Sequence, residues 1–110
     1  MDEQLFKNQL DRLRQTHFLL LYWAAQAEVK NVKYNITNAF DDFKDVRVTR
    51  TKQSVVAYIE VLVALCLIDI RDENNRKNIY ITEYGAKALE YLVQNKKMKT
   101  QKSRFMEVSK

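Results

Sequence analysis

From residue 2 to residue 29 the apolar positions Leu5, Phe6, Leu10, Leu13, Leu20, Leu21 and Ala24 recur at intervals of three, four and seven. That spacing stacks them on one side of an α-helix and predicts helix over the whole stretch. It fits one long helix or two, the second beginning near Gln15 with Thr16 available as its cap. Phe18, Tyr22, Trp23 and Ala25 add apolar surface on a second side. This is more than one core-facing stripe requires, so a partner subunit is expected to cover the surplus. The polar stretch 31–35 reads as a turn, and Ile36, Ala39, Phe40 and Phe43 then predict a short helix from about Asn35 to Asp45.

Val46-Arg47-Val48-Thr49-Arg50 breaks the helical pattern, and Thr49 or Thr51 can cap the next helix. From Lys52 to about Cys66 another apolar face runs through Val55, Ile59, Leu62 and Leu65 or Cys66. The period then changes to two. Residues 67–71 and 77–81 alternate, with Ile68 and Ile70 on one face and Ile79 and Ile81 on one face, which predicts two short strands. Asn74 and Asn75 between them tolerate left-handed backbone and belong in a hairpin turn. Thr82 caps a last helix through Ala86, Leu89, Tyr91, Leu92 and Val93, which runs on into the basic stretch Lys96, Lys97, Lys99, Lys102 and Arg104.

Composition narrows the function classes. The 110 residues suffice for one domain and not two, so 1–110 is read on one core. With 46% hydrophobic and 30% charged residues the chain should fold, and one Gly with no Pro favours helices joined by short connections over long catalytic loops. A net charge of +5 and a pI near 9.4 suit a polyanionic partner. Cys66 is the single cysteine and His17 the single histidine, which excludes an internal disulfide and a Cys/His zinc site and points to a reducing, cytoplasmic setting. The apolar run 18–25 falls short of the roughly 18 residues that a membrane span needs, and Met1-Asp2-Glu3 lacks the basic start of a signal peptide. No membrane association is expected. The carboxylates are scattered without an adjacent base or nucleophile, so neither catalytic residues nor a cofactor are assigned. Cys66, His17 and Trp23 are expected to serve packing.

The predicted order of three helices, a hairpin and a helix, with a tight turn between the second and third helices, is the layout of a winged helix-turn-helix. Within it, residues 51–93 resemble the MarR and PadR groups of bacterial transcriptional regulators. The resemblance is carried by Ser54-Val55, Ile59, Leu62, Leu67-Ile68, Arg76-Lys77, Tyr80, the run Ile81-Thr82-Glu83-Tyr84-Gly85, and Ala88-Leu89. That run is similar to the family's Leu-Thr-Glu-x-Gly at the exit of the wing, where an apolar residue closes the strand, Thr caps the helix and Gly permits close packing. The resemblance implies a mainly α, dimeric fold. Residues 1–30 would form a dimerisation and core helix, 31–81 the helix-turn-helix and wing, and 82–110 the C-terminal helix and basic tail. Where the family usually has Gly-Leu-Ile after the recognition helix, this chain has Cys66-Leu67-Ile68.

The implied partner is double-stranded DNA, bound by a homodimer that engages two half-sites. Candidate contacts at the start of the recognition helix are Lys44, Arg47, Thr49, Arg50, Thr51, Lys52, Gln53 and Ser54. Those on the wing are Arg71, Asn74, Asn75, Arg76 and Lys77, with Asp72 and Glu73 opposing them. Further along the helix Val56, Ala57, Glu60 and Val61 replace the expected Lys or Arg, so bidentate readout of guanine is absent there. Methyl groups read thymine and little else, and contact through the helix's N-terminal end is therefore expected. The functions considered are a transcriptional regulator, an accessory protein of plasmid partition, replication or conjugative transfer, and a protein-interaction module using Val56, Val61 and Val63.

Overall fold

The computed structural model describes residues 3–48 and 51–108. Among them the chain forms α1 (Glu3–Leu10), α2 (Gln15–Val29), α3 (Ile36–Asp45), α4 (Lys52–Ala64), β1 (Ile68–Glu73), β2 (Arg76–Ile81), α5 (Glu83–Asn95) and α6 (Arg104–Val108). The result is a mainly α-helical domain with one small antiparallel two-stranded sheet.

The N-terminal apolar run is two helices. The break falls at residues 11–14, between the buried Leu10 and Leu13, and Arg14 takes extended backbone at the start of α2. The Arg14 amide donates to Nδ1 of His17 at 3.0 Å, so the imidazole acts as a capping side chain. Burial, and then the charge of Arg14, hold the His17 pKa below its ordinary value and keep that nitrogen available as an acceptor. Thr16 is not the cap. Its hydroxyl oxygen is buried with no hydrogen-bond partner among the described residues.

Phe18, Leu19, Leu20 and Leu21 are all fully buried. Four consecutive residues cover every side of a helix, so α2 is enclosed all round, with α4, α5 and β2 packed against it. Trp23 sits edge-on to Phe43 at 5.0 Å. The surplus apolar surface of this helix, expected to await a partner subunit, is therefore largely enclosed within one chain. Phe18 and Trp23 are fully buried, and Tyr22 and Ala25 are partly covered.

Helix ends share one device. Asn31, Arg47 and Cys66 stand just beyond α2, α3 and α4 with φ of 56°, 61° and 62°. In each case the following amide reaches back five residues, Val32 to Ala27, Val48 to Phe43 and Leu67 to Leu62, at 3.0, 3.0 and 2.9 Å. These are Schellman closures, which ordinarily use glycine. Cys66 is therefore not the small core hydrophobe expected from its apolar neighbours. It is exposed and holds a left-handed position that ordinarily favours glycine.

The hairpin is tighter than its alternation suggested. Pairing runs from Ile68 opposite Ile81 to Glu73 opposite Arg76, leaving only Asn74 and Asn75, with φ of 52° and 64°, in a two-residue turn. The single glycine lies inside α5. A Cβ on Gly85 would stand 2.0 Å from the Leu67 carbonyl oxygen and 2.7 Å from Ile81 Cγ1. Beside it Thr82 caps α5 by accepting from the Gly85 amide at 3.0 Å, while its hydroxyl donates to the Cys66 carbonyl at 2.6 Å.

The last helix does not run into the basic stretch. α5 stops at Asn95, and the residues after it return across α2 and α3. Gln101 accepts from Trp23 Nε1 at 2.8 Å, Lys99 accepts from the Gln15 side chain, and Ser103 and Met106 are buried. The anchor is Asp42, fully buried on α3. Its carboxylate receives Tyr34 Oη at 2.6 Å, the Phe105 amide at 3.0 Å and the Ser103 hydroxyl. Burial first, and then the Asp42 charge, push the Tyr34 phenol far above its ordinary range, so it remains a donor.

Replacing Asp42 by Ala strands three donors in a dry site. It should lower unfolding free energy by about 3 kcal/mol in urea titrations and speed tryptic cleavage at Lys102 and Arg104. Unchanged stability with an equally protected C-terminus would show that the carboxylate does not anchor it. Cys66→Gly should act in the opposite sense, raising stability by about 0.5 to 1 kcal/mol as left-handed strain is relieved. A loss would contradict the strained cap.

Candidate nucleic-acid interface

The backbone before α3 determines where the candidate residues can meet. Tyr34 accepts the Ile79 amide at 2.7 Å, and Asn35 forms an isolated bridge to Asn78, so residues 34 and 35 are tied to β2. Asn35 then caps α3, accepting from the Asn38 amide at 2.9 Å while Asn38 Oδ1 accepts from the Asn35 amide at 3.0 Å. These constraints set the N-terminus of α3 beside the hairpin. The packing of α4 on α3 and β1 brings the start of α4 to the same place.

A cleft of about 560 Å³ opens there. One wall is the first turn of α3, Asn35 to Asn38; a second is Lys52 and Val56 of α4; the third is Asn75, Arg76 and Lys77 of the hairpin. Lys52 and Arg76 have no ion-pair partner among the described residues, whereas Lys77 faces Asp72 at 3.7 Å in an exposed pair. The cleft therefore carries uncompensated positive charge next to a helix N-terminus, an arrangement that favours phosphate oxygens.

The other sequence candidates fall in different places. Thr51 caps α4, accepting from the Ser54 amide at 3.3 Å, and its hydroxyl lies 2.9 Å from that of Ser54, so both side chains serve the helix start. Gln53 is exposed. Lys44 pairs with Asp41 at 3.6 Å and lies over the Phe40 ring. Together with Arg47 it lines a separate depression that also contains Asp41, Asp45 and Arg104. The basic cluster of the sequence is thus split between two surfaces. Thr49 and Arg50 lie outside the described residues. Asn74 and Asn75 make the turn, and Arg71 is on the opposite face of the hairpin from Lys77, its guanidinium 4.3 Å from the Tyr80 ring centre and 3.5 Å from Asp69.

Glu73, expected to repel a polyanion, shares the Arg71 face with its register partner Arg76 and is tied down there. Asn78 donates to its carboxylate at 2.8 Å, Tyr80 donates to the same oxygen, and Lys33 stands 3.8 Å away. The hydrogen bonds from Asn78 and Tyr80 hold the Glu73 carboxyl below its usual range, and its bond to Tyr80 raises Lys33. Glu73 is thereby matched by a lysine that sequence reading passed over. Asn35, Thr37 and Asn38 were also missed as cleft residues; their one sequence signal was a helix start at Asn35, which carries no information on what that end faces.

No protein-family model, curated protein or solved structure matches this chain. The outward surface of α4 presents a shallow, mostly apolar depression lined by Lys52, Gln53, Val56, Ala57 and Glu60. Val61 and Val63 are two-fifths exposed. At 100° per residue Val63 shares the Val56 stripe and Val61 does not, so the three valines do not make one face. Among the described residues no three His, Cys, Asp or Glu side chains come together as a metal set, and no helix is long and apolar enough to cross a membrane.

Proposed function

We propose that this protein is a winged helix-turn-helix that binds double-stranded DNA as a homodimer and acts as a transcriptional regulator. In this reading α3 and α4 are the helix-turn-helix, α4 is the recognition helix and β1–β2 is the wing. The observation that carries it is the cleft in which Lys52, Arg76 and the first turn of α3 converge, because phosphate contact needs several donors and unpaired charges aimed at one volume. The net charge of +5 acts in the same direction.

For the second copy the groove between α1 and α5 is the best face. It is lined by Phe6, Leu10, Tyr84 and Tyr91 among charges of both signs, and Leu5 and Tyr84 are about half exposed on these helices. Sedimentation at micromolar concentration should give a dimer that Tyr84→Asp converts to monomer. A parent chain that stays monomeric would remove the two-half-site arrangement.

Replacing Lys52 and Arg76 together by Ala should weaken binding to every duplex and lower the magnitude of the log K against log salt slope by roughly four for the dimer, one for each phosphate no longer neutralised by the two protomers. Unfolding free energy should move by less than about 0.5 kcal/mol, since both side chains are exposed. Unchanged affinity and slope would exclude the cleft as the contact site.

A further inference from the structure

The outward face of α4 is unusual for a helix beside a basic cleft. Val55, Ile59 and Leu62 face the core, and Ser54 is held by the Thr51 cap. The outward residues in the first three turns are Lys52, Gln53, Val56, Ala57 and Glu60. Lys52 turns toward the cleft, where Arg76 and Lys77 also stand. The centre of the face is thus an amide and two short aliphatic side chains, with a carboxylate one turn further on and three cations along one rim.

Each of these groups discriminates among base edges in the major groove. Guanine offers two acceptors, and its best partner is a cation with a forked or pivoting donor; none projects from the centre of this face. Glu60 is an acceptor and is repelled by that same guanine edge. Val56 and Ala57 have only methyl surface to offer, which matches the C5 methyl of thymine. Gln53, one turn before them, has the donor and acceptor that adenine N7 and N6 require.

We propose that the Gln53, Val56 and Ala57 face of α4 selects A·T-rich duplex by packing on thymine methyl groups, with Gln53 taking an adjacent adenine and the Lys52–Arg76 rim holding phosphates. The proposal rests on the DNA-binding reading above and deepens it. An apolar face can equally take a polypeptide, but the rim sets the unpaired Lys52 and Arg76, with Lys77 neutralised by Asp72, against the single carboxylate of Glu60, and that charge balance favours a polyanion. All three reading residues lie within the first two turns of α4, so insertion by the N-terminal end of the helix brings them to the groove floor and leaves Glu60 behind.

The test uses the full chain and three duplexes of equal length: an A·T-rich one, the same sequence with every thymine replaced by uracil, and a G·C-rich one. Uracil removes the methyl and keeps every Watson–Crick and groove hydrogen bond. Binding is followed by fluorescence anisotropy over a salt series. The A·T-rich duplex is expected to bind at least tenfold tighter than the G·C-rich one, and uracil to weaken it by about fourfold for each thymine methyl that the helix covers, with the salt slope unchanged. Val56→Ser, checked for folding by circular dichroism, should narrow the gap between the thymine and uracil duplexes by about fourfold, because the partner of one methyl is gone while Ala57 keeps its own.

Equal affinity of the parent for thymine and uracil duplexes would overturn methyl reading, while salt-dependent binding to both would leave the DNA-binding function standing. A uracil effect that persists undiminished in folded Val56→Ser would also overturn it, by locating the effect in duplex shape. No association with any duplex at low salt would remove the DNA-binding function and this inference together. A preference for the G·C-rich duplex would reject the inference alone.

Discussion

The carbonyl oxygen of Leu67 lies 2.0 Å from where a Cβ on Gly85 would be. No L side chain fits there, so the backbones of α5 and of the α4–β1 junction meet directly. The same junction is tied twice more: the Thr82 amide donates to the Leu67 carbonyl at 3.1 Å, and the Thr82 hydroxyl to that of Cys66. The end of α4, the start of β1, the end of β2 and the start of α5 are thereby held at one point. Strand pairing fixes the hairpin only against itself, and this junction, with the packing of α2 on β2 and the Tyr34–Ile79 bond, places it beside α4. One threonine and one glycine suffice because each satisfies a local need, a helix cap and a close approach, as well as the tertiary one.

A second constraint is electrostatic. A buried carboxylate is costly unless its charge is met by donors, and Asp42 meets that condition only when Tyr34 and residues 103–105 are in place. The Tyr34 carbonyl accepts the Ile79 amide, a bond to β2 that positions the α3 N-terminus. The polar centre on α3 therefore couples the C-terminal segment to one wall of the cleft through a single shared residue. The enclosed α2 supplies the apolar counterpart. With Phe18 to Leu21 buried on all sides, the surrounding elements are built around α2, and the α1–α5 groove, which the proposed dimer would use, lies outside that shell.

Charge in this chain is distributed by pairing more than by position. Lys44, Lys33, Lys77 and Arg71 all have carboxylate neighbours within 4 Å, all in exposed pairs worth little to stability. Their effect is to cancel field. Lys52 and Arg76 stand unpaired among the described residues, as do Arg12, Arg14, Lys30, Arg47, Lys87, Lys97, Lys99 and Lys102; the cleft differs in setting two such cations beside a helix N-terminus.

Local rules in the sequence determined the elements. Asn35, Thr51 and Thr82 start helices because their side chains satisfy backbone amides within three residues, and Asn74-Asn75 turns because both tolerate left-handed backbone; none of this needs the rest of the chain. The alternation at 68–71 and 77–81 likewise determined which isoleucines face inward. Tertiary structure decided what local rules cannot reach. His17 serves as a cap for Arg14 although histidine is an uncommon capping residue, and Cys66 holds a left-handed turn because Leu67 must reach back to Leu62. Residues 99–106, which read as a basic tail continuing the last helix, are docked because Asp42, some sixty positions earlier, needs donors. The candidate site shows the same division. Lys52, Arg76 and Lys77 were legible as basic residues at a helix start and a hairpin, but their meeting with Asn35 to Asn38, and the separation of Lys44 and Arg47 from them, depend on which way each element faces after packing. Sequence spacing carries that information only within one helix or strand, and the cleft is built from three.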